Sequence, residues 1–371
     1  MRKINKMKNL FYIVFSVISA LSVYAGNRLH IIDDGDKSPV VAATVFSRSG
    51  NIIGITDEEG VLTGCADGDC PLTIRCVGYA PEVCERPTGI VALSPAVYDL
   101  AELTVIPAQR PVLKMLCHIR EINTGSTITD TILHFNEHMA HFYLPVEKVK
   151  KFNVPSTPFV RTSRHYLRHA DARGDSVSCP ECDDVVSLMK VIGMETGNVE
   201  ESDRIRSGAN TDTIRGKHGL SKICRKTESI YLENADYLAD KKGHCFSPVI
   251  FRLLGLAMDL NELRASLAYR VNDSGTYSPA DLLYATWSVR ITGKGKWFKK
   301  AFNSQSPVEM NGYYEIYPVD FEYITVEEAK EEATGSAPLV EFRRSPSVLP
   351  LPPAIQSLVD RCDALKKGIA D

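Results

Sequence analysis

Three groups of residues have types and spacings that could do chemistry. His118-x-x-Glu121, with His244 far downstream, has the pattern of a zinc hydrolase. One helical turn would set a histidine beside a carboxylate, and a distant second histidine would complete the metal's ligands. His134, His138 and His141 offer three imidazoles in eight residues. On a helix they would line one face and suit a metal; on a strand His134 and His138 share a face and His141 points the other way. Cys179-Pro-Glu-Cys182 is a C-x-x-C. At the start of a helix the dipole would lower a thiol pKa and make the pair redox-active; elsewhere it is a local cross-link.

The residues around each group decide its weight. Thr127–Leu144 is rich in Thr, Ile, Phe and Tyr, which favours a strand, and Glu137 is not placed as H-E-x-x-H requires, so the three histidines read as structural. An H-x-x-E arises readily by chance in a chain with nine histidines. Between Glu121 and His244 there is no Asn-Arg pair or Asn-Pro-Asp-Gly-like segment to hold a substrate carboxylate. No thioredoxin-like βαβ pattern surrounds Cys179 and Cys182, and a disulfide between them is the better reading. Gly293-Lys-Gly-Lys296 fits a hairpin turn, not a nucleotide loop. No catalytic, cofactor or metal residue is therefore expected. Two alternatives stand beside that expectation: a zinc-dependent peptidase using His118, Glu121 and His244, and a thiol oxidoreductase using Cys179 and Cys182.

The elements that would position these groups begin with an address. Arg2, Lys3, Lys6 and Lys8 precede an apolar run from Leu10 to Val23, and Val23-Tyr24-Ala25 puts suitable residues at the −3 and −1 positions before Gly26. This is the pattern of a secretory signal peptide over residues 1–25, and the run is shorter than the roughly 20 residues of a membrane span. Its removal takes the formal charge from −3 to −7. An acidic exported chain has no electrostatic footprint for nucleic acid. With 371 residues, 44% of them hydrophobic and 24% charged, disorder and a polytopic membrane protein are excluded.

Short β-branched runs follow at Leu29–Ile32, Val40–Phe46, Ile52–Thr56, Leu72–Val77, Ile90–Leu93 and Leu103–Ile106, divided by Gly, Pro, Asp and Asn. Their spacing predicts an antiparallel sandwich over 26–106. Asp57-Glu58-Glu59-Gly60 has the chemistry of a hairpin end. The elements Pro39–Val45, Gly54–Gly60, Ile74–Tyr79, Ile90–Leu93 and Leu100–Val105, in this order, resemble the carboxypeptidase regulatory-like domain. The resemblance covers about a fifth of the chain. It implies a transthyretin-like fold, no peptidase activity, and an exported envelope protein of the type common in Bacteroidetes. The sandwich also precedes the region that would be catalytic, whereas in regulated carboxypeptidases it follows. Too few residues remain for the barrel of an outer-membrane transporter.

Residues 107–344 read as a β-rich α+β domain. Its parts are a linker at Pro107–Pro111, a short helix at Val112–Ile122 and the strand Thr127–Leu144 stopped by Pro145. A long exposed excursion at Glu195–Lys226 precedes an ambiguous segment at Arg252–Val271. Strands at Leu283–Thr292, Gly295–Phe302 and Tyr313–Thr325 and a helical turn or two at Val326–Thr334 complete it. A Pro-rich linker, Ser345–Pro353, and an amphipathic helix, Ala354–Ile369, end the chain. The expected class is mainly β.

An oxidising compartment turns the ten cysteines into disulfide candidates. Cys76 and Cys84 lie four residues either side of Ala80 and would oppose each other in a hairpin turning there. Cys65 and Cys70 flank the loop Ala-Asp-Gly-Asp. The expected function is a non-enzymatic envelope protein, periplasmic or outer-membrane associated, that binds a protein or glycan or gives structural support.

Overall fold

The computed structural model describes residues 27–96, 110–127, 129–146, 152–180, 204–206, 211–215, 221–238, 244–245, 255, 257–272, 275, 277–301, 307–334, 339–345 and 348–368. The signal peptide, the strand expected at Leu103–Ile106 and Cys182 lie outside them.

The fold is mainly β. Seven strands make the N-terminal unit: β1 (Asn27–Asp33), β2 (Thr44–Phe46), β3 (Ile52–Ile55), β4 (Val61–Cys65), β5 (Leu72–Arg75), β6 (Glu82–Cys84) and β7 (Gly89–Leu93). They form two sheets, β4-β1-β7 and β3-β2-β5-β6. Leu29, Ile31, Val45, Leu62, Leu72, Ile74 and Leu93 meet between them in one core. Alternation along β1 explains the contact: Leu29, Ile31 and Asp33 are buried and their neighbours are not. The sandwich is not wholly antiparallel, because β1 and β7 run parallel. The Asp57–Gly60 turn has the expected chemistry but joins β3 of one sheet to β4 of the other, so it is no hairpin. Asp57 Oδ1 accepts from the backbone of Glu59 and Val61, and Gly60 sits at φ +69°, where a Cβ would lie 2.5 Å from the Ile31 carbonyl.

The rest of the chain builds one 12-stranded sheet from β8 (Val112–Ser126), β9 (Thr131–Pro145), β10 (Phe159–Asp171), β11 (Gly174–Ser178), β12 (Arg204–Arg206), β13 (Thr211–Arg215), β14 (Ser221–Lys226), β15 (Ile230–Asp236), β16 (His244–Cys245), β17 (Met258–Arg270), β18 (Leu282–Gly293) and β19 (Val308–Ile324). The order is β11-β10-β9-β8-β19-β18-β17-β15-β14-β13-β12, with β16 on β17. Two meanders thus meet where the first strand, β8, pairs with the last, β19. Helices α1 (Lys296–Ala301), α2 (Val326–Thr334) and α3 (Pro353–Lys366) complete the unit.

Several elements differ from those expected of the sequence. Val112–Ile122 is strand, not helix: nearly every residue of β8 is buried on one face or the other, which a helix with one apolar stripe would not allow. Thr211–Arg215 and Ser221–Lys226 are strands of the sheet, not part of an exposed excursion. Within Gly295–Phe302, Lys296–Ala301 is the short helix α1. The ambiguous Arg252–Val271 is strand from Met258 to Arg270. Val326–Thr334 is helical as expected, and its N-terminus is held by Thr325 and Glu328 in a reciprocal cap.

One face of the large sheet, the domain face, is covered by the sandwich, the segments 339–345 and 348–352 and α3. Phe46 packs with Ile122, Leu133, Phe135 and Tyr313. Val77 packs with Leu232, Tyr284 and Tyr317. Gly78 (φ +88°) brings the sandwich so close that a Cβ there would lie 3.1 Å from Leu232. The other, far face carries the largest apolar cluster, including Met115, Ile119, Phe142, Trp287, Ile291 and Ile316. Among the described residues no helix is long and apolar enough to cross a membrane.

Candidate functional site

The chemistry-bearing residues converge on β8 and its neighbours, but strand geometry divides them. Residues three apart on a strand point to opposite faces. His118 therefore faces the sandwich side and Glu121 the far side, so the H-x-x-E pair cannot share a metal. The backbone of His244 lies on β16, paired with Leu260 and four strand spacings from β8, roughly 19 Å. The zinc set is not brought together.

On the domain face His118 Nε2 lies 3.4 Å from Glu137 Oε1, and Arg120 Nε lies 3.5 Å from the same oxygen. Burial pushes the Glu137 carboxyl up, but the close contact with His118 and the charges of His118, Arg120 and Arg344 outweigh it and hold the group below its ordinary range. Next to it Glu315, 1% exposed, pairs with Arg75 from the sandwich strand β5. Arg75 Nε donates to Glu315 Oε1 at 2.7 Å, and Tyr284 and Tyr317 donate to the same carboxylate at 3.2 and 3.1 Å. Burial disfavours the Arg75 charge, yet Glu315, together with Tyr313, Tyr317 and Tyr284, more than offsets this and keeps the guanidinium protonated. The remaining arginine donors hold the C-terminal segment: Arg75 Nη1 donates to the Pro350 carbonyl and Arg120 Nη1 to that of Leu349, both at 2.5 Å. Two carboxylates and two arginines thus neutralise each other inside a three-way junction of sheet, sandwich and C-terminal segment.

On the far face Glu121 accepts from Asn123 Nδ2 at 2.9 Å and Asn136 Nδ2 at 3.4 Å, with His138 Nε2 3.3 Å away. His165 Nδ1 lies 2.8 Å from Asn136 Oδ1, and its ring stacks on His134 with centroids 5.7 Å apart. His138 meets His165 edge-on at 5.8 Å. All of these side chains except the half-buried Asn123 are buried, and Nδ1 of His138 has no hydrogen-bond partner. His134 and His138 share this face, and the third histidine is His165 on β10, which the spacing of the cluster did not include. Register alone brings it there, since His165 sits opposite Asn136. His141 faces the sandwich side, where Arg161 Nε donates to its Nδ1 at 3.2 Å. Burial, with the positive charges of Lys114 and Arg161, lowers its pKa to about 4.

Among the described residues, Asp130, His169 and Asp171 are the three ligand-type groups whose ligand atoms all lie within 4.8 Å of one another. Asp171 already accepts from the backbone and guanidinium of Arg173. The His134, His138 and His165 group is not so converged. A cavity of about 30 Å³, room for one water, lies between Val41 and Glu58 of the sandwich and Asn234, Asp236 and Arg264 of the sheet.

Of the expected cysteine pairs, the strand register parts Cys76 from Cys84. Cys84 sits opposite Leu72, because the chain turns about Gly78 and not Ala80, so Cys76 does not face Cys84. Cys76 is buried, its thiol pushed up to about 12 by burial, and it donates to the Val41 carbonyl. Cys65, Cys70 and Cys84 share the sandwich core. Burial, then the charges of Asp69 and Cys70, push the Cys65 thiol up to about 11. No bond joins any two of the eight cysteines whose side chains are described in this structure. Cys179 lies against Cys362 of α3, and its expected partner Cys182 lies outside the described residues.

No protein-family model and no curated protein matches the chain. A solved structure on lipid–protein interactions in lipovitellin overlays with a TM-score of 0.26 and 8% identity. The overlay spans 64% of this chain but 27% of the lipovitellin chain, and at that score it carries no argument.

Proposed function

We propose that the chain is a non-enzymatic protein of the cell envelope, exported by its N-terminal leader. In this reading a carboxypeptidase regulatory-like sandwich, seated on a large antiparallel sheet, serves to bind an envelope protein or glycan or to give structural support. One observation carries it: the residues suited to catalysis are engaged in holding the molecule together. His118 and Glu121 are parted by the strand they share, and each is packed among polar partners: His118 against Glu137, Glu121 against Asn123, Asn136 and His138. The V-G-Y element of the family resemblance supports the sandwich assignment. Val77 and Gly78 seat the sandwich on the sheet, and Tyr79 donates to Asp33 at 2.9 Å while accepting from Arg225 at 2.7 Å.

The test is in two parts. The native chain should fractionate with the envelope and begin at Gly26; recovery from the cytosol with the leader intact would contradict the localisation. Purified full-length mature protein should hold no stoichiometric zinc and cleave no peptide substrate. Stoichiometric zinc that is lost on His118→Ala would instead establish the peptidase alternative.

A further inference from the structure

We infer that Cys179 and Cys362 form a disulfide that latches the C-terminal helix to the large sheet. Cys179 immediately follows β11, and Cys362 is a fully buried residue of α3. Each thiol reaches the other's backbone: Cys179 Sγ donates to the Cys362 carbonyl at 3.5 Å, and Cys362 Sγ donates to the Ser178 carbonyl at 3.4 Å. Cys179 is also close enough to raise the Cys362 thiol pKa.

Independent contacts fix the helix in this place. Ile355, Leu358 and Cys362 form the buried stripe of α3, packed with Leu133, Phe135 and Tyr166 of the sheet. Arg361 pairs with Asp175 of β11 at 3.0 Å, and Lys366 lies over the Tyr166 ring at 5.5 Å. The sulfurs therefore meet on two elements already held in register, which is the condition a disulfide's narrow geometry sets.

The chemistry is thiol–disulfide exchange with an oxidised partner of the disulfide class, such as oxidised glutathione or a disulfide-bearing oxidoreductase. Cys179, the more exposed of the two, attacks the partner disulfide as thiolate, forming a mixed disulfide and releasing one thiol. Cys362 then attacks Cys179 of that mixed disulfide, the new S–S bond forms, and the second thiol leaves. Two electrons and two protons pass from the chain to the partner. Burial raises the Cys362 thiol to about 12, with Cys179 adding to the rise, which makes Cys362 the resolving thiol and not the first attacker. The bond would form in the cell only in an oxidising compartment, so it rests on the export reading.

The test is non-reducing peptide mapping of the full-length mature protein after equilibration with reduced and oxidised glutathione. The expected product links Cys179 to Cys362, is retained in Cys182→Ser and is lost in Cys362→Ser. The oxidised protein should melt about 5 °C above the reduced one, because the bond closes a long loop. Free thiols at both positions under oxidised glutathione, or a Cys179–Cys182 link in the unmutated chain, would overturn the inference. Mapping the unmutated chain does not depend on whether a variant folds. Failure in the redox buffer counts against the pairing itself, whereas a cytosolic location counts against the export reading alone.

Discussion

The two faces of β8 bury acidic groups by different means. On the far face Glu121 is held by Asn123, Asn136 and His138, all from β8 and β9. On the domain face Glu315 and Glu137 are met by arginines, one of which, Arg75, comes from a separate sandwich 240 residues away in sequence. The first arrangement fixes strands that are already paired. The second makes the position of one folding unit depend on another, because neither Arg75 nor Glu315 is tolerable in the junction without its partner. A buried ion pair of this kind adds little net stability over a well-packed apolar pair, but it penalises every other placement of the sandwich.

The largest expected effect breaks that difference directly. Glu315→Gln leaves Arg75 without its carboxylate and should cost about 3–5 kcal/mol in denaturant unfolding, with faster proteolytic release of the sandwich. Glu121→Gln, measured the same way, should cost about 1–3 kcal/mol, since amide and imidazole partners lose a charged acceptor but not a counter-ion. It should leave the proteolytic pattern of the sandwich unchanged.

Acid sharpens the comparison further. His141, on the domain face, has its pKa lowered from 6.5 to about 4, so the unfolded chain binds the proton more readily. Its stabilising contribution is complete above about pH 6.5 and is lost as the pH falls toward 4. Glu137 is also depressed, and what it contributes above its unfolded value near 4.5 is lost at lower pH still. Melting temperature against pH should therefore fall in two stages, and His141→Gln should flatten the first. The smallest effect concerns the C-terminal segment. Arg164, whose guanidinium lies 4.0 Å from the Phe342 ring centroid, should cost about 0.5–1 kcal/mol on replacement by Ala.

The opposed orientations of His134 and His141 were legible in the sequence, because a strand's period of two needs no tertiary knowledge. The membership of His165 was not, since only the pairing of β9 with β10 places it there. Val112–Ile122 misled for a related reason: Leu113, Leu116 and Ile119 fit a helix, but a central strand buried on both faces is apolar throughout and shows no period of its own. Cys76 and Cys84 miss each other by a small displacement. Moving the turn from Ala80 to Gly78 shifts the residue opposite Cys76 by four positions. The Arg75–Glu315 pair had no local signal at all, as both residues are ordinary members of strands until the sandwich docks.

The most direct test of that docking is a double-mutant cycle on Arg75 and Glu315 in the full-length mature protein, using Arg75→Met and Glu315→Leu. Each single change should be strongly destabilising and the double variant should recover most of the loss, a coupling of about 2 kcal/mol or more. Losses that simply add, within about 0.5 kcal/mol, would contradict the claim that this pair joins the two units.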